Sequence, residues 1–263
     1  MDNNLKQFNL SDLFLTSWDQ LDADQAAAAL IYKNAIDAMT ERGKHVKAGI
    51  SRMYLLTLLC RKKEILKKLT PEQLYDVAND LAFMAKPFYF FHITWLDLPG
   101  GRMLRPEEKL SSLTFYQFIK ADCEFSKYTI LCFRKKPEQS EALDRLVTIL
   151  YQPGPWQFNE DSIADNSQHI PRRLTLQLKM LILHAYVNCR RYIVEQRCTN
   201  LFPGRNKTDN DKEPEYLGPM WQDLLYDLSE TPTFSGLGKA KNARLYEALD
   251  YLEKKAKEKP VTA

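Results

Sequence analysis

Glycine is scarce in this chain of 263 residues, at 9 positions, which excludes low-complexity or linker-like sequence as its main character. Long apolar runs are missing too. The longest, such as Met53 to Cys60, fall far short of the roughly 20 residues that span a bilayer. Five cysteines (Cys60, Cys123, Cys132, Cys189 and Cys198) form no CxxC pair and are odd in number, so they imply reduced, partly buried thiols rather than a disulfide framework. Met1-Asp2-Asn3-Asn4 offers no basic start or apolar run of a secretory leader. The expectation is a cytoplasmic protein with no membrane association. Charge of one sign is also lacking: 37 Lys and Arg face 34 acids, a net +3, too small to imply nucleic acid by itself.

Motifs of catalysis and metal binding are absent as well. His45, His92, His169 and His184 show no HExxH and no i, i+4 pair, so no metal is expected. His184 lies among Leu181, Ile182, Leu183 and Ala185, which suits a core histidine. Gly236-Leu237-Gly238-Lys239 resembles part of a P-loop, yet Thr233 stands at the first glycine position and Ala240 follows the lysine. A turn before the last helix is the better reading. No GxSxG and no cysteine signature suggests a nucleophile. Cys123/Cys132 and Cys189/Cys198 share a spacing of nine, which places each pair on different helix faces. No catalytic, metal or cofactor residue is assigned, and no enzyme activity is expected.

What is present is packing material: 44% hydrophobic and 11% aromatic residues, enough for a substantial core. A helix is expected from about Ala23 to Arg42, with Asp22 as cap and Gly43 as its end. Residues 50–69 fit either strand or helix. Thr70-Pro71-Glu72-Gln73 forms a capping box, followed by the apolar stripe Leu74, Val77, Ala78, Leu81 and Ala82. Phe88 to Trp95 is the best strand candidate, broken by Pro99-Gly100-Gly101. A second box, Thr114 to Gln117, opens a helix to about Phe133, and another covers about Gln139 to Tyr151. Residues 156–170 suggest a surface loop. Pro171 opens the longest helix, to about Thr199. Residues 204–215 are almost wholly polar, and helices at about Met220 to Leu228 and Asn242 to Lys257 close the chain. The fold class is mainly α, with at most a small β element near residues 88–95. The expected domains are a main helical domain at 1–203, a polar linker at 204–215, and a C-terminal helical pair at 216–263 packing on or extending the main domain.

The helix from Pro171 leaves almost no polar face. Its ends are basic, with Arg172 and Arg173, then Arg190, Arg191 and Arg197. Complementing the helix dipole explains the latter group. A nucleic-acid role would require an exposed basic face with aromatic platforms such as Tyr186 or Tyr192. It stands as an alternative.

Leu113-Thr114-Phe115-Tyr116-Gln117-Phe118-Ile119-Lys120-Ala121-Asp122 and Leu143 to Pro153 resemble a group of bacteriophage and prophage proteins. These carry an LTF-x-x-F-x-x-AD helix and an L-x-x-L-V-A-x-LYRP helix. Trp221 to Leu228 and Leu245 to Leu252 match the group's C-terminal helices, although Thr148 and Gln152 depart from its usual Ala and Arg. The resemblance implies tail morphogenesis by protein–protein binding, as a tail assembly chaperone or, alternatively, a structural virion component. Its implied partners are other morphogenesis proteins such as a tape-measure protein; homo-oligomerisation stays open, and nucleic acid is not expected. The host cytoplasm is the implied location, with the virion as alternative. Tyr116, Phe118 and Trp221 are the candidate partner-binding residues.

Overall fold

Local capping chemistry sets where the helices begin. In the computed structural model, which describes residues 13–70, 72–74, 77, 81–202, 214 and 216–258, Asp22 accepts from the Gln25 N–H at 2.8 Å and Gln25 returns a bond to the Asp22 N–H at 3.1 Å. This reciprocal box starts α1, Ala23–Glu41. Gly43, at φ 68°, then turns the chain where a Cβ would be strained. The ambiguous stretch resolves as α2, His45–Leu59, and a single turn α3, Lys63–Leu66. Thr70 and Gln73 form the expected box, at 2.9 and 3.3 Å. Residues 72–74 and 77 are helical, Ala78 lies outside the described residues, and Ala82–Ala85 is a 3-10 turn.

Helix makes up 64% of the described residues. One two-stranded antiparallel sheet accompanies it among the described residues. That β element is displaced from the expected segment. It pairs β1, Trp95–Leu98, with β2, Gly101–Leu104, in the register Trp95↔Leu104 to Leu98↔Gly101. Pro99-Gly100 thus forms the hairpin turn rather than ending a lone strand. Residues 89–94 are irregular because other partners take their carbonyls. Lys109 N–H donates to Tyr89 O at 2.9 Å, Tyr151 Oη to Ile93 O at 2.8 Å, and Arg105 N–H to Thr94 O at 3.0 Å.

The chain then forms α4, Phe115–Phe133, and α5, Gln139–Leu150. Thr114 Oγ1 accepts from the Gln117 N–H at 3.1 Å, but Gln117 does not complete the box. Its amide instead donates to Ile149 O at 2.7 Å and ties α4 to α5. Within the expected loop at 156–170 lies α6, Ile163–Ser167, and α7, Ile170–Arg173, follows. Asn166 and Ile170 are buried, so this segment is packed rather than a surface loop. The helix from Pro171 is also interrupted. Leu174 turns extended at φ −126°, ψ 132° to bury its side chain, and α8 runs only over Leu176–Arg191 before a π-turn, Tyr192–Arg197. The C-terminal part contains three helices rather than two: α9, Gly218–Ser229, α10, Leu237–Asn242, and α11, Leu245–Glu258.

Contacts divide the chain into Met1–Phe88 with Leu176–Leu181 (unit 1) and Tyr89–Thr175 with Ile182–Ala263 (unit 2). This differs from a division at 203, for a physical reason. Residues 216–258 are bound into unit 2 by Phe115 N–H to Ala243 O at 2.8 Å, by Leu245 N–H to Leu113 O at 3.0 Å, and by side chains of α9 and α11 buried in its core. Of the expected linker at 204–215, only residue 214 is described.

Candidate functional site

Each face of α4 does a different job. On its inner side, Phe115 and Phe118 pack edge-on against Trp221 of α9, with ring centroids at 6.3 and 5.3 Å, and Phe202 approaches the same indole at 5.6 Å. Phe118 and Trp221 are fully buried. As partner-binding anchors both are therefore corrected: their ring area already serves the core. Of the three candidates only Tyr116 meets open space.

Beneath Trp221 sits Asp122, 0% exposed. Its carboxylate accepts from Trp221 Nε1 at 2.6 Å, from Tyr186 Oη at 3.1 Å and from Arg190 Nε. Burial disfavours the charged form of Arg190, but the Asp122 charge beside it prevails and leaves Arg190 held above its ordinary value. A buried carboxylate so matched is costly to expose to partial loss of its partners. The AD end of the motif is thus a structural knot joining α4, α8 and α9.

The outer side of α4 forms one wall of a groove of about 650 Å³. Ile119, Ile149, Leu225 of α9 and Leu237 of α10 give it apolar lining, and the exposed Tyr216 and Tyr226 add aromatic surface. Charged groups cross it in fixed pairs. Glu160 accepts from Tyr116 Oη at 2.8 Å and from Lys120 Nζ at 2.5 Å. Arg145 Nε meets Glu124 at 3.0 Å. Lys241 Nζ lies 4.5 Å from the Tyr116 ring centroid, a cation–π contact, and forms no ion pair among the described residues.

These pairs decide the protonation states. Burial, and then the Glu160 acceptor, push the Tyr116 phenol up. Burial alone would pull Lys120 down, but its bonds to Glu160 and Tyr116 outweigh it and raise the ammonium. Burial would raise Glu160; the bonds from Lys120 and Tyr116 and the charge of Lys241 hold it below the ordinary carboxyl value instead. Burial also pushes the Cys123 thiol up. At neutral pH these four are a neutral phenol, a cation, an anion and a protonated thiol.

Elsewhere the basic group at the C-terminal end of α8 and its π-turn is internally matched, whereas Arg172 and Arg173 are exposed. Arg190 binds Asp122, Arg197 binds Asp250 at 2.8 Å, and Arg191 faces Glu195 at 3.6 Å. Gly236, at φ 90°, caps the short α10, so Leu237, Gly238 and Lys239 are helical where a turn was expected, and Lys239 is exposed. No group of three or more metal-ligating side chains gathers among the described residues. Lys120, Glu160 and Lys241 were not legible as a set, because 121 residues separate the outer two and only the fold brings them together. No protein family, curated protein or solved structure matches this chain.

Proposed function

We propose that this is a non-enzymatic bacteriophage or prophage protein that acts in tail morphogenesis by protein–protein binding, as a tail assembly chaperone. The observation that carries the binding role is the groove of unit 2, where apolar walls stand ready around charges already locked to one another. Such a site takes an amphipathic helix laid in by its apolar face. Lys241, the groove cation without an ion pair among the described residues, calls for a carboxylate on that helix. The tail role rests on the resemblance of residues 113–122 and 143–153, and it makes a tape-measure protein the partner to test.

The test is co-expression with the tape-measure protein of the same phage or prophage, then co-purification and mass spectrometry of finished particles. A chaperone keeps the partner soluble, co-purifies with it and is absent from mature virions. Stoichiometric presence in virions favours the structural-component reading. No complex and no presence in particles contradicts the tail role. The reading as a nucleic-acid-binding protein using basic helix ends is disfavoured by the acids that engage Arg190 and Arg197.

A further inference from the structure

Unit 1 carries a feature that the whole-chain charge conceals. Residues 42–68 hold nine lysines and arginines and a single acid, Glu64, in a protein of net charge +3. Arg42, Lys44 and Lys47 lie at the start of α2; Arg61, Lys62, Lys63, Lys67 and Lys68 lie beyond its end. All eight are exposed, and Arg52 within the helix is half-buried. No ion pair among the described residues engages any of the nine. Lys44 is the α2 N-cap residue and makes no capping side-chain bond, and no acid stands in the first turn. Cations at that end oppose the helix dipole, so this placement does not serve the helix.

Between these basic ends runs an uncovered apolar stripe. Val46, Ile50, Met53 and Tyr54 follow the i, i+4, i+7, i+8 spacing of one helix face; they are 81%, 54%, 43% and 59% exposed. The opposite face, with Ala48, Leu55, Leu56 and Leu59, is buried. α2 is therefore apolar on two opposite faces, and its own unit covers one of them. Its length of about 22 Å, at 1.5 Å per residue, leaves a ridge with cations at either end.

We propose that this ridge rests on an anionic lipid surface. Val46, Ile50 and Met53 enter the headgroup boundary, Tyr54 sits at its level, and the flanking lysines and arginines meet lipid phosphates. Nucleic acid would satisfy the cations but leave the apolar ridge in water. An acidic protein would have to match fixed charge positions, whereas these cations sit on long side chains beyond the ridge ends, which a continuous plane of headgroups accommodates. The attachment is peripheral: no helix among the described residues is long and apolar enough to cross a membrane. This inference does not depend on the tail-assembly reading.

Flotation of the full chain with phosphatidylcholine vesicles, with and without phosphatidylglycerol, tests it. The protein should float only with the anionic vesicles and be released by high salt. Ile50→Asp, Val46→Asp and the pair Lys62→Glu/Lys63→Glu should each weaken binding by more than about tenfold, with unchanged far-UV spectra because the side chains are exposed. The reversal Lys254→Glu/Lys255→Glu on α11 should leave binding intact. No flotation, equal flotation on neutral vesicles, or wild-type binding by both Ile50→Asp and Val46→Asp overturns the proposal. A duplex DNA that strips the protein from vesicles and binds Ile50→Asp undiminished also overturns it, in favour of phosphodiester recognition.

Discussion

At the scale of single residues, Asp122 is the most consequential side chain. Removing it leaves the Arg190 guanidinium partly buried without its anion and orphans the Trp221 and Tyr186 donors. Breaking such a pair from one side costs about 3–5 kcal/mol, so urea unfolding of Asp122→Ala should show a loss of that size; a loss below about 1 kcal/mol, the level of an exposed ion pair, would contradict the knot. The sequence placed Asp122 within the helix expected from the Thr114 box to about Phe133 but could not reveal its partners, since Trp221 lies 99 residues away. Glu160 gives a pH signature. Its folded carboxyl lies below the ordinary value of 4.5, so its stabilising effect is fully present above that pH and is lost as pH falls through the folded value. Glu160→Gln should therefore be less stable than wild type at neutral pH, and the difference should close in strong acid. The same substitution should lower the Tyr116 phenol, followed by ultraviolet titration. The thiols differ in the same spirit. Burial pushes Cys189 and Cys198 up to about 12, so both should resist alkylation of the native protein at mildly alkaline pH and react only on unfolding.

Elements were legible where their signals are local. Asp22 with Gln25, and Thr114 with the Gln117 N–H, mark helix starts because the bonding groups lie within one turn. Asp22→Ala should cost about 0.5–2 kcal/mol, measured by thermal or urea unfolding. The displaced strand and the broken helix were illegible for the converse reason. Carbonyls at Tyr89, Ile93 and Thr94 are claimed by Lys109, Tyr151 and Arg105, none of which adjoins them in sequence. Leu174 leaves helical geometry to bury its side chain, a tertiary demand that outweighs the apolar helical pattern around it. Within α8, burial also starts later than its composition suggests. Leu181 is 1% exposed, whereas Leu176 is 64% exposed. Leu181→Ala should cost about 2–5 kcal/mol and Leu176→Ala less than about 0.5 kcal/mol. Equal effects in urea titrations would show the core to be misplaced.

Across the whole molecule, the mainly helical class followed from composition and caps, but the division into units did not, because it depends on which distant segments pair. Residues 216–258 join unit 2 through bonds to Leu113 and Phe115 and through the Asp122 knot. The same pairing creates the groove, which residues of α4, α9 and α10 line together. In the proposed role, this groove holds a helix of the tape-measure protein. Leu237, 39% exposed, and Lys241 lie on one wall, so Leu237→Glu and Lys241→Glu should leave the fold intact. The most direct measurement is the affinity of each variant for the co-expressed, purified tape-measure protein. Each should bind more than about tenfold more weakly than wild type, a penalty above about 1.4 kcal/mol, with an unchanged melting temperature; wild-type affinity in both variants would contradict the claim.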